Sequence, residues 1–244
     1  MKAHYLIIFL LLYLHPGNGR SQLRGVSLLA GGETVTHRLV SPHDAAGLEF
    51  AFEFGQSDTQ TEQSFFGGIR ADWELKGQVG LQTQLDYGRV IYNVFFRDPT
   101  ETNGIFGPMN RGVFYAPDRL DLSLLPSYTV AVGKFELVPK AGISYSIPVA
   151  EREYTNKVPD RSSQVRAVAI ENALNRSFGR STWKVNAGLD IAYARFFAHF
   201  NLRHQITSAS ESPVQVDGVE GGIPFDNRLT AIQFGLGYRV LRFD

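Results

Sequence analysis

The sequence predicts an all-β fold, an antiparallel up-and-down transmembrane β-barrel of eight strands. Three observations lead there. Apolar and polar residues alternate with a period of two over most of the chain, as they do in strands with one apolar and one polar face. Short turns alternate with connections of roughly twenty residues or more, the asymmetry of barrels that cross a membrane. Aromatic residues gather near strand ends on the apolar face, while the opposite face is rich in Gly and in charge. A barrel in lipid wants large apolar groups outside and polar ones inside.

The amino terminus reads as a targeting segment. Lys2 and His4 precede an apolar run over residues 5–14, too short for a spanning helix and of the length of a signal-peptide core. Small residues Gly19 and Ser21 flank Arg20, so residues 1–21 are expected to be a signal peptide, with cleavage before Gln22 and a cut one or two residues away equally compatible, and 22–244 the barrel domain.

The strands follow in order. Residues 25–36 are Gly-rich and weakly alternating, and 48–54 set Leu48, Phe50, Phe52 and Phe54 against Glu49, Ala51 and Glu53. Over 65–75, Ile69, Ala71, Trp73 and Leu75 oppose Gly68, Arg70, Asp72 and Glu74, and Lys76-Gly77 is expected to turn the chain. Val79, Leu81, Thr83, Leu85 and Tyr87 then oppose Gly80, Gln82, Gln84, Asp86 and Gly88, before a long polar connection over 97–118. The second hairpin sets Leu120, Leu122, Leu124, Tyr128 and Val130 against Asp121, Ser123, Ser127 and Thr129. It turns over 131–134 and returns with Phe135, Leu137, Ala141, Ile143, Tyr145 and Ile147 against Glu136, Lys140, Gly142, Ser144 and Ser146. Pro126 and Pro139 lack ladder donors and are expected to mark bulges.

The third hairpin opposes Trp183, Val185, Ala187, Leu189, Ile191 and Tyr193 to Lys184, Asn186, Gly188 and Asp190, and turns at Ala194-Arg195. It continues with Phe196, Ala198, Phe200 and Leu202 against His199, Asn201, Arg203 and Gln205. The closing strand alternates Ile232, Phe234, Leu236, Tyr238 and Val240 with Gln233, Gly235, Gly237 and Arg239. Seven strands therefore run from residue 65 to 240, and an even count requires one or three before them. Eight is the expectation, with the spare segment extending a hairpin above the membrane; ten follows if Gly31-Gly32 turns a short extra hairpin.

A soluble sandwich also alternates. Here Trp73, Tyr87, Tyr128, Phe135, Tyr145, Trp183, Tyr193, Phe196 and Tyr238 lie at or near strand ends, as interfacial girdles do. The polar face carries Arg70, Lys140, Lys184, Arg203 and Arg239 beside Asp72, Glu74, Asp86, Asp121, Glu136 and Asp190. In a small lumen this near-balance predicts interlocking ion pairs filling the interior, since eight strands enclose only enough space for side chains.

Residues 65–89 (FFGGIRADWELKGQVGLQTQLDYGR), 120–147 (LDLSLLPSYTVAVGKFELVPKAGISYSI) and 232–240 (IQFGLGYRV) resemble the small outer-membrane β-barrel family of Bacteroidetes, which includes a barrel linked to type IX secretion. The resemblance implies residence in the outer membrane among its lipids and an envelope or secretion protein as partner. Gln233, Gly235, Tyr238 and Val240 are similar to the signal that the barrel assembly machinery reads. Many such barrels end on an aromatic residue, whereas this sequence closes on Phe243-Asp244.

Other chemistries find little support. Lys plus Arg equal Asp plus Glu at 24 each, so no strong global charge draws the chain to nucleic acid or anionic lipid, and with no cysteine there is no disulfide or thiolate site. The acidic residues lack calcium-loop spacing, and no Gly-rich phosphate cradle opens a helix, so no cofactor or metal is expected. Of His37, His43, His199 and His204, His199 falls on the lumen face and His204 on the lipid side near the outer rim, and no Ser has a nucleophile-elbow context. Residues 151–161 read as a solvated charged loop, and 163–175 as a short helix or a loop strand. The expectation is a structural or interaction barrel, not an enzyme, presenting loops 97–118, 148–180 and 208–227, with Phe106, Phe114 and Tyr115 as contacts. A narrow pore is the alternative, and a lipid-modifying or proteolytic barrel a weaker one.

Overall fold

The computed structural model describes residues 22–39, 43–45, 48–51, 59–102, 108–150, 153–154, 165–210, 212–216 and 222–243. The expected signal peptide, Phe106 and most of 151–161 lie outside them.

Eight strands close into a barrel. They are β1 (Gln22–Leu39), β4 (Thr59–Lys76), β5 (Val79–Arg89), β8 (Asp118–Tyr128), β10 (Phe135–Ala150), β12 (Thr182–Tyr193), β13 (Phe196–Gln205) and β14 (Asn227–Arg242). Each pairs antiparallel with its sequence neighbour in the barrel, β1 pairs with β14, and every edge is thereby satisfied. The Gly-rich stretch 25–36 supplies the first strand, so eight strands form and Gly31-Gly32 runs straight through β1.

Side-chain parity decides which solvent each face prefers. Outward residues are large and apolar: Leu236 is 73% exposed, Phe196 65% and Phe234 60%, with Leu28, Ile69, Leu85, Leu122, Ile143, Val185 and Ile232 around the same belt. Such a continuous apolar exterior is not that of a water-soluble monomer. Residues 65–75 of β4, at about 3.3 Å per residue and a tilt of ~40°, rise roughly 25 Å, the height of the apolar band of a barrel in lipid. Cross-strand aromatic pairs edge the belt: Phe135–Tyr193 with ring centroids 5.3 Å apart and Phe196–Tyr238 at 5.1 Å toward the turns, and Tyr145–Trp183 at 4.8 Å toward the long connections.

The turns depart slightly from expectation. The first is Gly77-Gln78, not Lys76-Gly77, because Gly77 takes the positive φ (59°) at the first turn position and Lys76 still pairs with Val79. The second is Gly133-Lys134, shorter than 131–134, since Val130–Val132 forms a further strand, β9, on β10. Ala194-Arg195 turns as expected, Ala194 having φ 55°. Pro126 and Pro139 face outward, and the register of β10 against β12 passes Pro139 without a shift. The irregularities sit instead at Val26/Ser27, Leu23/Gly25, Glu74/Lys76 and Pro148/Ala150.

A second structure covers the loop end. The stretch expected to be a polar connection after Arg97 is a hairpin of β6 (Tyr92–Thr102) and β7 (Pro108–Tyr115). With β2 (His43–Ala45), β3 (Leu48–Ala51) and β11 (Glu153–Tyr154) it makes a five-stranded sheet, so the spare segment does extend a hairpin beyond the barrel. Residues 163–175 resolve in favour of a helix, α1 (Val165–Ser177). Its Ile170 and Leu174 join Leu48, Phe50, Phe96, Ile223 and Phe225 in an apolar core that also takes Val35, Leu39, Leu229 and Ala231 from the barrel strands. Tyr115, expected as an exposed contact, is instead buried and stacked on Phe178 at 5.1 Å, because its strand turns that ring toward the cap. Ile170→Ala is expected to destabilise this cap by about 2–5 kcal/mol. Limited proteolysis should then cut the loop end faster while the barrel strands stay protected.

Candidate functional site: the barrel lumen

The inward positions of the eight strands build a polar interior in two ion-paired layers. Toward the turns, Asp190 of β12 is the centre. Arg70 Nη1 donates to its Oδ2 at 2.6 Å, and Lys140 Nζ donates to both carboxylate oxygens at 2.7 Å. Asp72 adds an ion pair with Arg70 at 3.0 Å, and Gln82 accepts from Lys140 at 3.2 Å. His199 Nδ1 lies 2.9 Å from Asp190 and 3.1 Å from Lys140, so this histidine is held inside the network. The Arg70 guanidinium also covers the Phe197 ring at 3.9 Å, a cation–π contact.

Toward the loops, Asp121 of β8 plays the same part. Lys184 Nζ donates to its two oxygens at 3.0 and 3.1 Å, Arg203 Nη1 at 2.8 Å, and Arg119 Nε lies 3.2 Å away. Arg203 also pairs with Asp86, and Arg119 with Glu33. Gln84 Nε2 donates to both Asp86 oxygens at 2.9 and 2.8 Å. Between the layers, Asn186 donates to Ser144 at 2.6 Å, and Ser144 meets Ser123 at 2.7 Å.

Nearly all of these charges are shut away from water: Arg203, Lys184, Asp121, Asp190, Asp86 and Glu33 are each at most 1% exposed. Isolated ions at such burial would be prohibitive, and each is compensated by an opposite charge in contact. Among the described residues, Glu33, Asp72, Asp86, Asp121 and Asp190 are matched by Arg70, Arg119, Lys140, Lys184 and Arg203.

Three residues expected in the lumen lie instead at its turn-end rim. Glu74 pairs with Arg24 at 2.7 Å, and Glu136 lies 3.7 Å from Arg239; both acids are partly exposed, as the last inward positions before a turn must be. Conversely, Glu33 and Arg119, which are not among the expected lumen charges, belong to the network. Extending the alternation of β8 two residues upstream of Asp121 finds Arg119, and Glu33 shares the parity of Ser27 and Leu29. Leu125, beside Pro126, is an apolar side chain within the lumen.

The closing strand has its own fit. Gln233 points inward, its Nε2 3.4 Å from Glu33, while Tyr238 and Val240 face out. Gly235 and Gly237 leave space for two lumen aromatics. A Cβ on Gly235 would lie 2.9 Å from the Phe66 ring, and one on Gly237 would lie 1.9 Å from that of Phe197. Phe66, Phe197, Leu29 and Ala192 form a small buried cluster there.

The two ends differ. At the turn end a polar vestibule of about 220 Å³ is lined by Arg24, Glu74, Glu136 and Arg239, with Arg70 and Asp190 at its depth. At the loop end the apolar cap closes over Val35 and Leu229. Among the described residues no group of three or more His, Asp or Glu side chains is arranged to hold a metal ion.

An apolar exterior, an ion-paired interior and a closed antiparallel ladder define a small eight-stranded transmembrane β-barrel. No protein-family model matches the sequence, and no curated protein matches it. Similar solved structures include the outer membrane protein OprG from Pseudomonas aeruginosa (13% identity, TM-score 0.44, covering 89% of this chain and 96% of that one). Neisserial surface protein A is similar at 9% identity and TM-score 0.41 over 89% of this chain and 99% of that one. The E. coli outer membrane protein W is similar at 16% identity and TM-score 0.36, over 89% and 98%.

Proposed function

We propose that the chain is an integral outer-membrane protein with a filled lumen, acting as a structural or interaction barrel and not as a conduit or an enzyme. The observation that carries this reading is the paired, buried charge of the lumen under an apolar cap. Ions cannot pass such an interior without breaking contacts that each side chain needs. Planar-bilayer recordings of the purified protein should therefore give no stable channels; regular conductance steps would defeat the reading. Membrane fractionation and a heat-modifiable gel band test the location, which a freely soluble periplasmic protein would overturn.

In this reading residues 1–21 direct export, and Gln233, Gly235, Tyr238 and Val240 address the closing strand to the barrel assembly machinery. The outer sheet and α1 face the exterior, where they meet an envelope or secretion partner of the kind the Bacteroidetes resemblance suggests. His199 serves the ion network, supported by its contacts with Asp190 and Lys140. Deleting the gene and profiling exported proteins tests the secretion role: broad loss supports it, an unchanged profile removes it.

A further inference from the structure

Every strand junction at the turn end carries a cation. Lys76 borders the β4–β5 turn, Lys134 lies in the β9–β10 turn, and Arg195 in the β12–β13 turn. Arg24 and Arg242 flank the fourth junction, where β1 meets β14. The turn cations recur at three of the four junctions, while Arg24 at the fourth is paired with Glu74. All five are exposed. Acidic residues on the same rim are already engaged: Glu74 is with Arg24 and Glu136 with Arg239. Lys76, Lys134 and Arg195 make no ion pair among the described residues.

Their height matters as much as their sign. Immediately inside the ring of cations runs the aromatic girdle of Tyr128, Phe135, Tyr193, Phe196 and Tyr238, all exposed on the outer face. Aromatics of this kind sit at the boundary between acyl chains and headgroups. Long cationic side chains one or two residues beyond them reach the phosphate layer while their stems lie on apolar surface.

We propose that this rim binds the headgroups of anionic phospholipids in the leaflet on the turn side, an annulus that fixes the barrel's depth. The proposal rests on the transmembrane reading above. The three turn cations supply the selectivity, because a lipid with net negative charge gains an attraction that a zwitterionic one lacks.

The two tryptophans make this measurable. Trp73 lies near the turn end, paired with Leu23 and Leu81, and Trp183 near the loop end, paired with Tyr145. A W183F variant leaves Trp73 as the only indole, and W73F leaves Trp183. Each is reconstituted into phosphatidylcholine vesicles containing brominated phosphatidylglycerol, or brominated phosphatidylcholine at the same fraction. Brominated phosphatidylglycerol is expected to quench Trp73 as though enriched at least about twofold over bulk. The enrichment should vanish at 1 M salt and in W183F with K76Q, K134Q and R195Q, whereas Trp183 should show none in oriented vesicles. Equal quenching of Trp73 by the two brominated lipids would overturn the proposal while leaving the barrel in the bilayer. Quenching by neither would overturn the transmembrane reading itself. Persistence of the enrichment in the triple variant, with folding verified by gel mobility, would also reject the turn cations as the site.

Discussion

Asp121→Ala is expected to destabilise the barrel by about 3–5 kcal/mol, the range for removing one partner from a buried charge cluster. Asp121 takes contacts from Lys184, Arg203 and Arg119, and all three are buried. Without it the loop-side layer keeps Asp86 and Glu33 against three cations, and the surplus positive charge has no water to meet. Urea unfolding in lipid vesicles, followed by gel mobility, should show an earlier midpoint with an unchanged slope. The compensating change Asp121→Ala with Lys184→Met should recover a good part of the loss, because it removes a charge of each sign. An Asp121→Ala protein as stable as wild type would mean that the interior is wetter than its burial indicates.

Gly237→Ala is the second large effect. The added methyl would lie 1.9 Å from Phe197, less than any real contact, so the ring or the strand must move. Overpacking of this kind costs about 1–3 kcal/mol. Displacing Phe197 also lifts it from Arg70, whose guanidinium covers the ring, so the disturbance reaches the Asp190 layer. Folding yield in vesicles should fall for Gly237→Ala and return when Phe197→Leu is added. A failure of Phe197→Leu to restore the yield would place the role of Gly237 in insertion and not in packing. Gly235→Ala predicts an effect of the same sign, since an added Cβ would lie 2.7 Å from the backbone oxygen of Ala30 and 2.9 Å from the Phe66 ring.

The barrel was legible because strand parity survives in a linear sequence. Residues such as Ile69, Arg70, Ala71 and Asp72 announce two faces without any knowledge of partners. The shape of the charge network was less legible, since Asp190 and Arg70 are 120 residues apart and meet only across the closed lumen. Nothing local distinguishes Asp190, which takes several cations, from Glu136, which lies on the rim; the difference is distance from the turn. Glu33 was hidden in a Gly-rich strand whose alternation is carried by small residues. The cap was the least legible part. Phe50, Ile170, Val214 and Phe225 come from separate segments with no shared period, and only the folded chain collects them.

The apolar cap and the polar vestibule together make the barrel a cup whose wide polar mouth is at the turn end. Solutes on the turn side can enter a space of about 220 Å³ lined in part by Asp190, whereas on the loop side the cleft beside Arg119, Lys184 and Leu229 holds about 30 Å³. A thiol introduced at Ser127, in the vestibule wall, is consequently expected to be labelled by a membrane-impermeant reagent faster from the turn side than from the loop side. The molecule thus carries a built-in polarity of access, set by the cap that its long connections form, by which its orientation in a membrane can be read.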